Sequence, residues 1–146
     1  MRSEQEVFIR RPLEEVFAYM DDVAREHEWQ PGILEAWKDP PGPTGVGTKK
    51  RYVSEFMGRH IENTYVTRVF EVNSHAVYET TADSVLRGTA ELRWTASGDG
   101  TRVTMSFEGK VGGPLRLVPQ GMLERVYRKE LGKTLGLLKS RLEGGR

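Results

Sequence analysis

The chain has 146 residues, of which 37% are hydrophobic and 29% charged, with a formal net charge of +1 and no cysteine. That length suits one domain with a real core, and that balance supplies no general attraction to nucleic acid, while the missing cysteines exclude a disulfide framework and thiol chemistry. No apolar run approaches the roughly 18 residues of a membrane span and the start, Met1 to Phe8, lacks a signal-peptide core, so the sequence predicts a cytoplasmic protein without a transmembrane segment.

Glu4 to Arg10 alternates around Val7 and Ile9 and reads as a first strand. Pro12 suits a first helical position, with Glu14 and Glu15 facing the positive helix end. Leu13, Val16, Phe17 and Met20 then fall on one face of a short helix. Asp21 or Asp22 caps a second short helix through about Glu28, which Trp29-Gln-Pro-Gly32 ends. Ile33 to Lys38 is a strand, followed by a Pro- and Gly-rich loop to Gly47. Thr48 to Phe56 and Arg59 to Val72 are strands about a Met57-Gly58 turn. Asn73-Ser74 turns the chain into a strand from Ala76 to Thr81. Val85 to Ala96 and Thr101 to Gly109 flank Ser97-Gly-Asp-Gly100, the clearest hairpin signal in the chain.

From Pro119 to Leu142 a long helix is predicted, about 36 Å at the helical rise. Leu123, Tyr127, Leu131, Leu135, Leu138 and Leu142 share one side of it. A stripe that long needs a broad partner, which only a sheet made from the rest of the chain supplies. Tight turns between successive strands make that sheet antiparallel, so the expected architecture is α+β: a curved seven-stranded antiparallel sheet around a long C-terminal helix, with two short helices after the first strand. Gly121, Gly132 and Gly136 each cost about 1 kcal/mol against alanine in a helix, which points to close approach of the helix to the sheet or to room for a bound molecule. After Gly109 the basic residues Lys110, Arg116, Arg125, Arg128, Lys129, Lys133, Lys139, Arg141 and Arg146 outnumber Glu124, Glu130 and Glu143. They read as the solvated back of the helix, or as attraction to an anionic surface.

Signatures of catalysis are mostly absent. His27, His60 and His75 have no metal-ligand spacing. Gly42-Pro-Thr-Gly-Val-Gly47 has the spacing of a phosphate loop, but Thr48-Lys49 stands in place of Lys-Ser/Thr and a strand follows instead of a helix. No metal and no cofactor are expected. The strand faces carry more. Leu86, Gly88, Ala90, Leu92 and Trp94 alternate with the wet set Arg87, Thr89, Glu91, Arg93 and Thr95, and the hairpin partner turns Val103, Met105 and Phe107 inward. Tyr52, Ser54 and Phe56 share a face with Arg59, Ile61, Asn63 and Tyr65 across the Met57-Gly58 turn, which puts His60 on the outer surface. Tyr52, Asn63 and Tyr65 either satisfy one another in an ordinary core or orient a ligand. Small residues on both the sheet and the helix favour the second, a concave pocket of about 300–1,000 Å³.

Pro12-Leu-Glu-Glu-Val-Phe-Ala-Tyr-Met-Asp21, Glu28-Trp-Gln-Pro-Gly32, Gly45-Val-Gly-Thr48, Tyr65-Val-Thr67, Ser97-Gly-Asp-Gly-Thr-Arg-Val-Thr104 and Leu137-Leu-Lys-Ser-Arg-Leu-Glu143 together resemble the polyketide cyclase/dehydrase family of the START-like (SRPBCC) superfamily. The resemblance runs from Val7 to Glu143 and implies the helix-grip fold, with a hydrophobic ligand between sheet and helix. It carries over no catalytic residue, because those differ among branches. The turn after Val72 has Asn73-Ser74 where many relatives have proline.

The first reading is therefore a module that binds a small hydrophobic or aromatic molecule, lipid- or polyketide-like. Leu86, Trp94, Met105 and Phe107, with Phe56, supply apolar wall; Gly88 and Ala90 make room; Tyr52, Asn63 and Tyr65 orient polar atoms; Met122 and Tyr127 close the helix side. The alternatives are a cyclase or dehydratase acting in the same cavity, with tyrosines or a water moving protons, and a lipid carrier in peripheral contact with anionic membranes.

Overall fold

Turn chemistry and apolar period together fix where each element begins and ends. The computed structural model describes residues 1–144, so Arg146 lies outside the described residues. Strand β1 is Arg2–Ile9, helix α1 is Leu13–Asp21 and a 3₁₀ helix follows at Val23–Glu28. Strands β2 to β7 are Ile33–Asp39, Lys49–Phe56, Arg59–Glu71, His75–Thr80, Leu86–Ser97 and Gly100–Val111. A second 3₁₀ helix, Gly113–Leu117, which sequence reasoning did not foresee, precedes helix α2, Gln120–Gly144. Pro12 and Pro119 stand just before their helices, and their carbonyls accept from Val16 N and Leu123 N, both at 3.1 Å. Met57 (φ 52°) and Gly58 (φ 76°) both take the left-handed conformation, which a two-residue hairpin turn of the I′ kind requires.

The sheet has seven strands in the order β1-β7-β6-β5-β4-β3-β2, and every pairing is antiparallel. Six strands thus follow one another as a meander, and β1 alone is brought from far in sequence, onto β7. Register shifts between Ile33 and Glu35 and between Thr67 and Val69 interrupt the ladders of β2 and β4, the kind of irregularity that bends and twists a strand. The sheet curves around α2, which lies against β1.

The buried side chains form two groups. One gathers Val16, Phe17 and Met20 of α1 with Trp29, Trp94, Val103 and the C-terminal leucines of α2, Leu135, Leu138 and Leu142. The other gathers Ile61, Leu86, Phe107 and Leu115, with Tyr127 of α2 packed on it. Tyr65 and Ala90 border both groups. The C-terminal half of α2 is also pinned by polar contacts: Lys139 Nζ donates to Phe8 O at 2.6 Å, Arg141 Nε to Glu28 O at 3.1 Å, and Glu143 accepts from Arg10 N at 2.8 Å.

The stripe read from the sequence is the buried side of α2, with Leu123, Leu131, Leu135, Leu138 and Leu142 buried. The expectation for the helix glycines is corrected. Gly121, Gly132 and Gly136 are exposed, and a Cβ at any of them would meet nothing within 4 Å. They fall on the solvated face beside Lys133, so they neither let the helix approach the sheet nor make room for a ligand. Gly136→Ala should therefore raise stability by about 0.5–1 kcal/mol in a denaturant melt, from helix propensity alone. A loss of stability would show a contact that the open space around Gly136 excludes.

Candidate functional site

Alternation along β3 and β4 sends one set of side chains toward α2. The register pairs Lys50 with Tyr65, Tyr52 with Asn63 and Ser54 with Ile61, and across β5, β6 and β7 it pairs Tyr78 with Ala90 and Leu92 with Met105. These side chains, with Trp29 and the Tyr127–Thr134 stretch of α2, enclose a cavity of about 220 Å³ between the two buried groups. That is below the expected range for ligand pockets, yet above the ~150 Å³ apolar cavity that admits benzene. Pro31, Glu55 and Glu130 line it and are exposed, which places its mouth between the end of the first 3₁₀ helix, the β3–β4 hairpin and the middle of α2.

Of the residues proposed from sequence, Tyr52, Phe56, Asn63, Tyr65, Leu86, Ala90, Trp94, Met105 and Tyr127 line this cavity. Three do not. Phe107 is buried on the adjacent side, its ring 5.5 Å from that of Tyr127, so it backs the wall without forming it. Met122 is 45% exposed, because it lies off the buried stripe of α2. Gly88 makes no room for a ligand: a Cβ there would sit 2.0 Å from Glu108 O and 2.6 Å from Gly109 Cα. Gly88 and Gly109 face each other across β6 and β7, and the missing side chains allow the two backbones to approach closely there.

Asn63 belongs to the wall in a structural role. Its Nδ2 donates to Leu86 O at 2.8 Å and its Oδ1 accepts from Leu86 N at 3.0 Å, which satisfies the start of β6 where the ladder to β5 stops. The Tyr52 hydroxyl donates to Glu26 Oε1 at 2.7 Å. Tyr65 meets Tyr52 edge to face at 5.8 Å. Burial pushes the Tyr65 phenol up to about 12 and the Tyr127 phenol higher still, so both stay protonated as neutral hydroxyls on the cavity wall.

One end of the cavity carries a polar cluster that sequence reasoning missed. Lys50 Nζ, on a residue only 4% exposed, lies 3.1 Å from Asp21 Oδ1, donates to Tyr78 Oη at 3.3 Å, and sits 4.9 Å above the Tyr78 ring. Glu26, 6% exposed, accepts from Tyr52 on one oxygen and from Gln30 Nε2 at 2.6 Å on the other. Burial pushes the Glu26 carboxyl up to about 7, although Lys50, Tyr52 and Gln30 pull it down. Burial also works against the Lys50 ammonium, but the Tyr78 oxygen, Glu26 and Asp21 outweigh it and hold the lysine charged. Near neutral pH the cluster therefore holds a charged lysine, its aspartate partner and a carboxyl poised between its two forms.

Signals for this cluster were present in the chain. Lys50 precedes Tyr52 by two and so shares its inward face. In a 3₁₀ helix residues three apart align, and Val23 and Glu26 are the two buried residues of theirs. Asp22, not Asp21, caps that helix by accepting from Ala24 N at 3.1 Å, which leaves Asp21 for Lys50. Among the described residues no three His, Cys, Asp or Glu stand close enough together to hold a metal ion, and no helix is long and apolar enough to cross a membrane.

Comparison with solved structures finds the same fold. A START superfamily protein from Mycobacterium smegmatis superposes with a TM-score of 0.83 at 17% identity, over 99% of each chain. TTHA0849 from Thermus thermophilus gives 0.82 at 15% identity, over 97% of each chain. The di-domain ARO/CYC BexL from the BE-7585A biosynthetic pathway gives 0.77 at 18% identity, over 99% of this chain and 50% of that one. At such identities the likeness speaks for the START-like helix-grip fold alone. A search of curated proteins returns no match. The family model described as polyketide cyclase / dehydrase and lipid transport matches residues 1–143, and the chain belongs to that family.

Proposed function

We propose that this protein binds a small hydrophobic or aromatic molecule, polyketide- or lipid-like, in the cavity between sheet and α2. The observation that carries the reading is the cavity itself. Protein interiors are packed to crystal density with few voids larger than a water, yet here a space of about 220 Å³ is lined by residues of both buried groups. Aromatic and aliphatic walls with a polar cluster at one end match what a small organic ligand needs: burial for its body and fixed partners for one or two polar atoms. In this reading Phe56, Tyr65, Leu86, Ala90, Trp94, Met105 and Tyr127 hold the apolar body, and Tyr52 belongs to the polar end. The family description and the fold shared with aromatase/cyclase domains support a ligand of that kind.

Ala90→Leu tests it. Ala90 lines the cavity between Tyr78 and Phe107, its partners on either side. In a filled core the added methylenes would cost about 1–3 kcal/mol; in the cavity they occupy vacant space. Stability within about 1 kcal/mol of the parent is expected, with an apolar fluorescent probe bound by the parent and excluded by the variant. A parent that binds no such probe, with a variant that is strongly destabilised, would refute the reading.

A further inference from the structure

The polar cluster contains what proton transfer at carbon requires, beyond what holding a ligand requires. An ammonium group has three N–H donors. Lys50 directs one toward Asp21 and one to Tyr78, so one has no partner among the described residues. Each Glu26 oxygen accepts one hydrogen bond, from Tyr52 and from Gln30, which holds the carboxyl fixed and leaves lone pairs unused. Both residues line the same cavity, and its remaining walls are mainly apolar.

We propose that this end of the cavity is a proton-transfer site for enolisable ketones carried on an aromatic or alicyclic ring, with Glu26 as general base and Lys50 as the group that stabilises the oxygen. The proposal rests on the binding reading above. The ketone oxygen takes the open N–H of Lys50, and the carbon beside the carbonyl lies against Glu26. The Glu26 carboxylate removes a proton from that carbon. The C–H electron pair becomes the new carbon–carbon double bond, and the carbonyl π pair moves onto oxygen, where the Lys50 ammonium stabilises the negative charge. Return of a proton from Glu26 to carbon, after exchange of the Glu26 proton with solvent through the cavity mouth, restores the ketone, so nothing is oxidised or reduced and no co-reactant other than water is needed. Three features suit the chemistry. Asp21 offsets the lysine charge, which leaves the cluster able to accept a neutral substrate. Burial that raises the Glu26 carboxyl toward neutrality makes it a stronger base than an ordinary carboxylate while a good fraction stays ionised. The buried surroundings of Lys50 and Glu26 strengthen the hydrogen bond to the developing oxyanion.

Exchange of the α-protons of 1-indanone into D₂O, followed by proton NMR, tests this without the natural substrate. Indanone binding is measured in parallel by ligand-observed NMR, with indane as the hydrocarbon that has no carbonyl. The parent protein should accelerate exchange, indane should inhibit competitively, and the rate should rise with pH as Glu26 ionises and then level off. E26Q keeps the shape of the side chain and should bind indanone while losing about 10²-fold or more of the acceleration, the usual contribution of a positioned base. K50M should lose a similar factor. Indanone that binds to the parent without faster exchange, or exchange undiminished in a folded E26Q, overturns the proposal and leaves the binding reading standing. Failure of both indanone and indane to bind overturns both.

Discussion

Gly88→Val should unfold the protein more readily by about 3 kcal/mol or more, although it adds apolar bulk only two residues from Ala90. The reason is where the added atoms would go. A Cβ at Gly88 meets Glu108 O at 2.0 Å and Gly109 Cα at 2.6 Å, both backbone atoms of the β6–β7 hairpin. No rotamer relieves such a contact, so the strands must separate. Separation would break ladder hydrogen bonds that run from the Leu86–Val111 pair to the Ser97–Gly100 pair. It would also disturb the bond from Gly88 N to Thr80 Oγ1 at 2.8 Å, which ties β6 to the end of β5. At about 2–4 °C per kcal/mol for a domain of this size, the melting temperature should fall by roughly 6–12 °C. Near-parent stability in Gly88→Val would mean that Gly88 faces open space after all. Paired with Ala90→Leu, the experiment separates a wall of the cavity from a close contact within the sheet, on one face of one strand.

That pair also shows how far the sequence alone reaches. Alternation predicts Gly88 and Ala90 on the same face, because the side-chain period of a strand is fixed. Which small residue fronts a void and which fronts a neighbouring backbone depends on the close approach of Gly88 to Gly109, two residues that meet only once β6 pairs with β7. The meander was legible for the same local reasons: hairpins about Met57-Gly58 and Gly98-Asp99 pair strands that adjoin in the chain. The place of β1 against β7 was not, since no turn links them. In the site, aromatic residues were found because large apolar side chains repeat with the strand period. Lys50 and Glu26 escaped because charged residues read as surface by default, which masked the inward phase of Lys50 and the alignment of Glu26 with Val23 until β3 met the end of α1 and the 3₁₀ helix at Val23–Glu28. The helix glycines misled for the opposite reason. Composition marks them as unusual, but the phase of α2 puts them toward solvent.

The second large effect is a dependence of stability on pH that runs through a single carboxyl. Glu26 has an ordinary value of 4.5 in the unfolded chain and about 7 in the folded one, chiefly because burial disfavours its anion. Between those values the folded state holds a proton that the unfolded state has released, so stability must fall as pH rises. The contribution is fully present below about 4.5 and is lost as pH passes through about 7. At 1.36 kcal/mol per unit, reduced for relaxation around the buried anion, the loss from pH 5 to pH 8 should be about 2 kcal/mol. The groups facing Glu26 reinforce that assignment. Lys50 and Tyr52 titrate far above this window, their values raised further by their surroundings, and Gln30 does not titrate. The carboxylates held below their usual range, Glu15, Glu28, Asp83, Glu91 and Glu143, change charge below pH 4.5, where they act in the opposite direction. Glu26→Gln can still accept from Tyr52 and, with the Gln30 amide turned over, exchange a hydrogen bond with it. Urea melts of parent and variant at pH 5, 6, 7 and 8 should show the parent losing stability across the series and Glu26→Gln losing little. The two should draw together at pH 5, with the variant the more stable at pH 8. Parallel curves would mean that the Glu26 carboxyl is ionised in the folded protein throughout this range, held by Lys50 more firmly than burial opposes it.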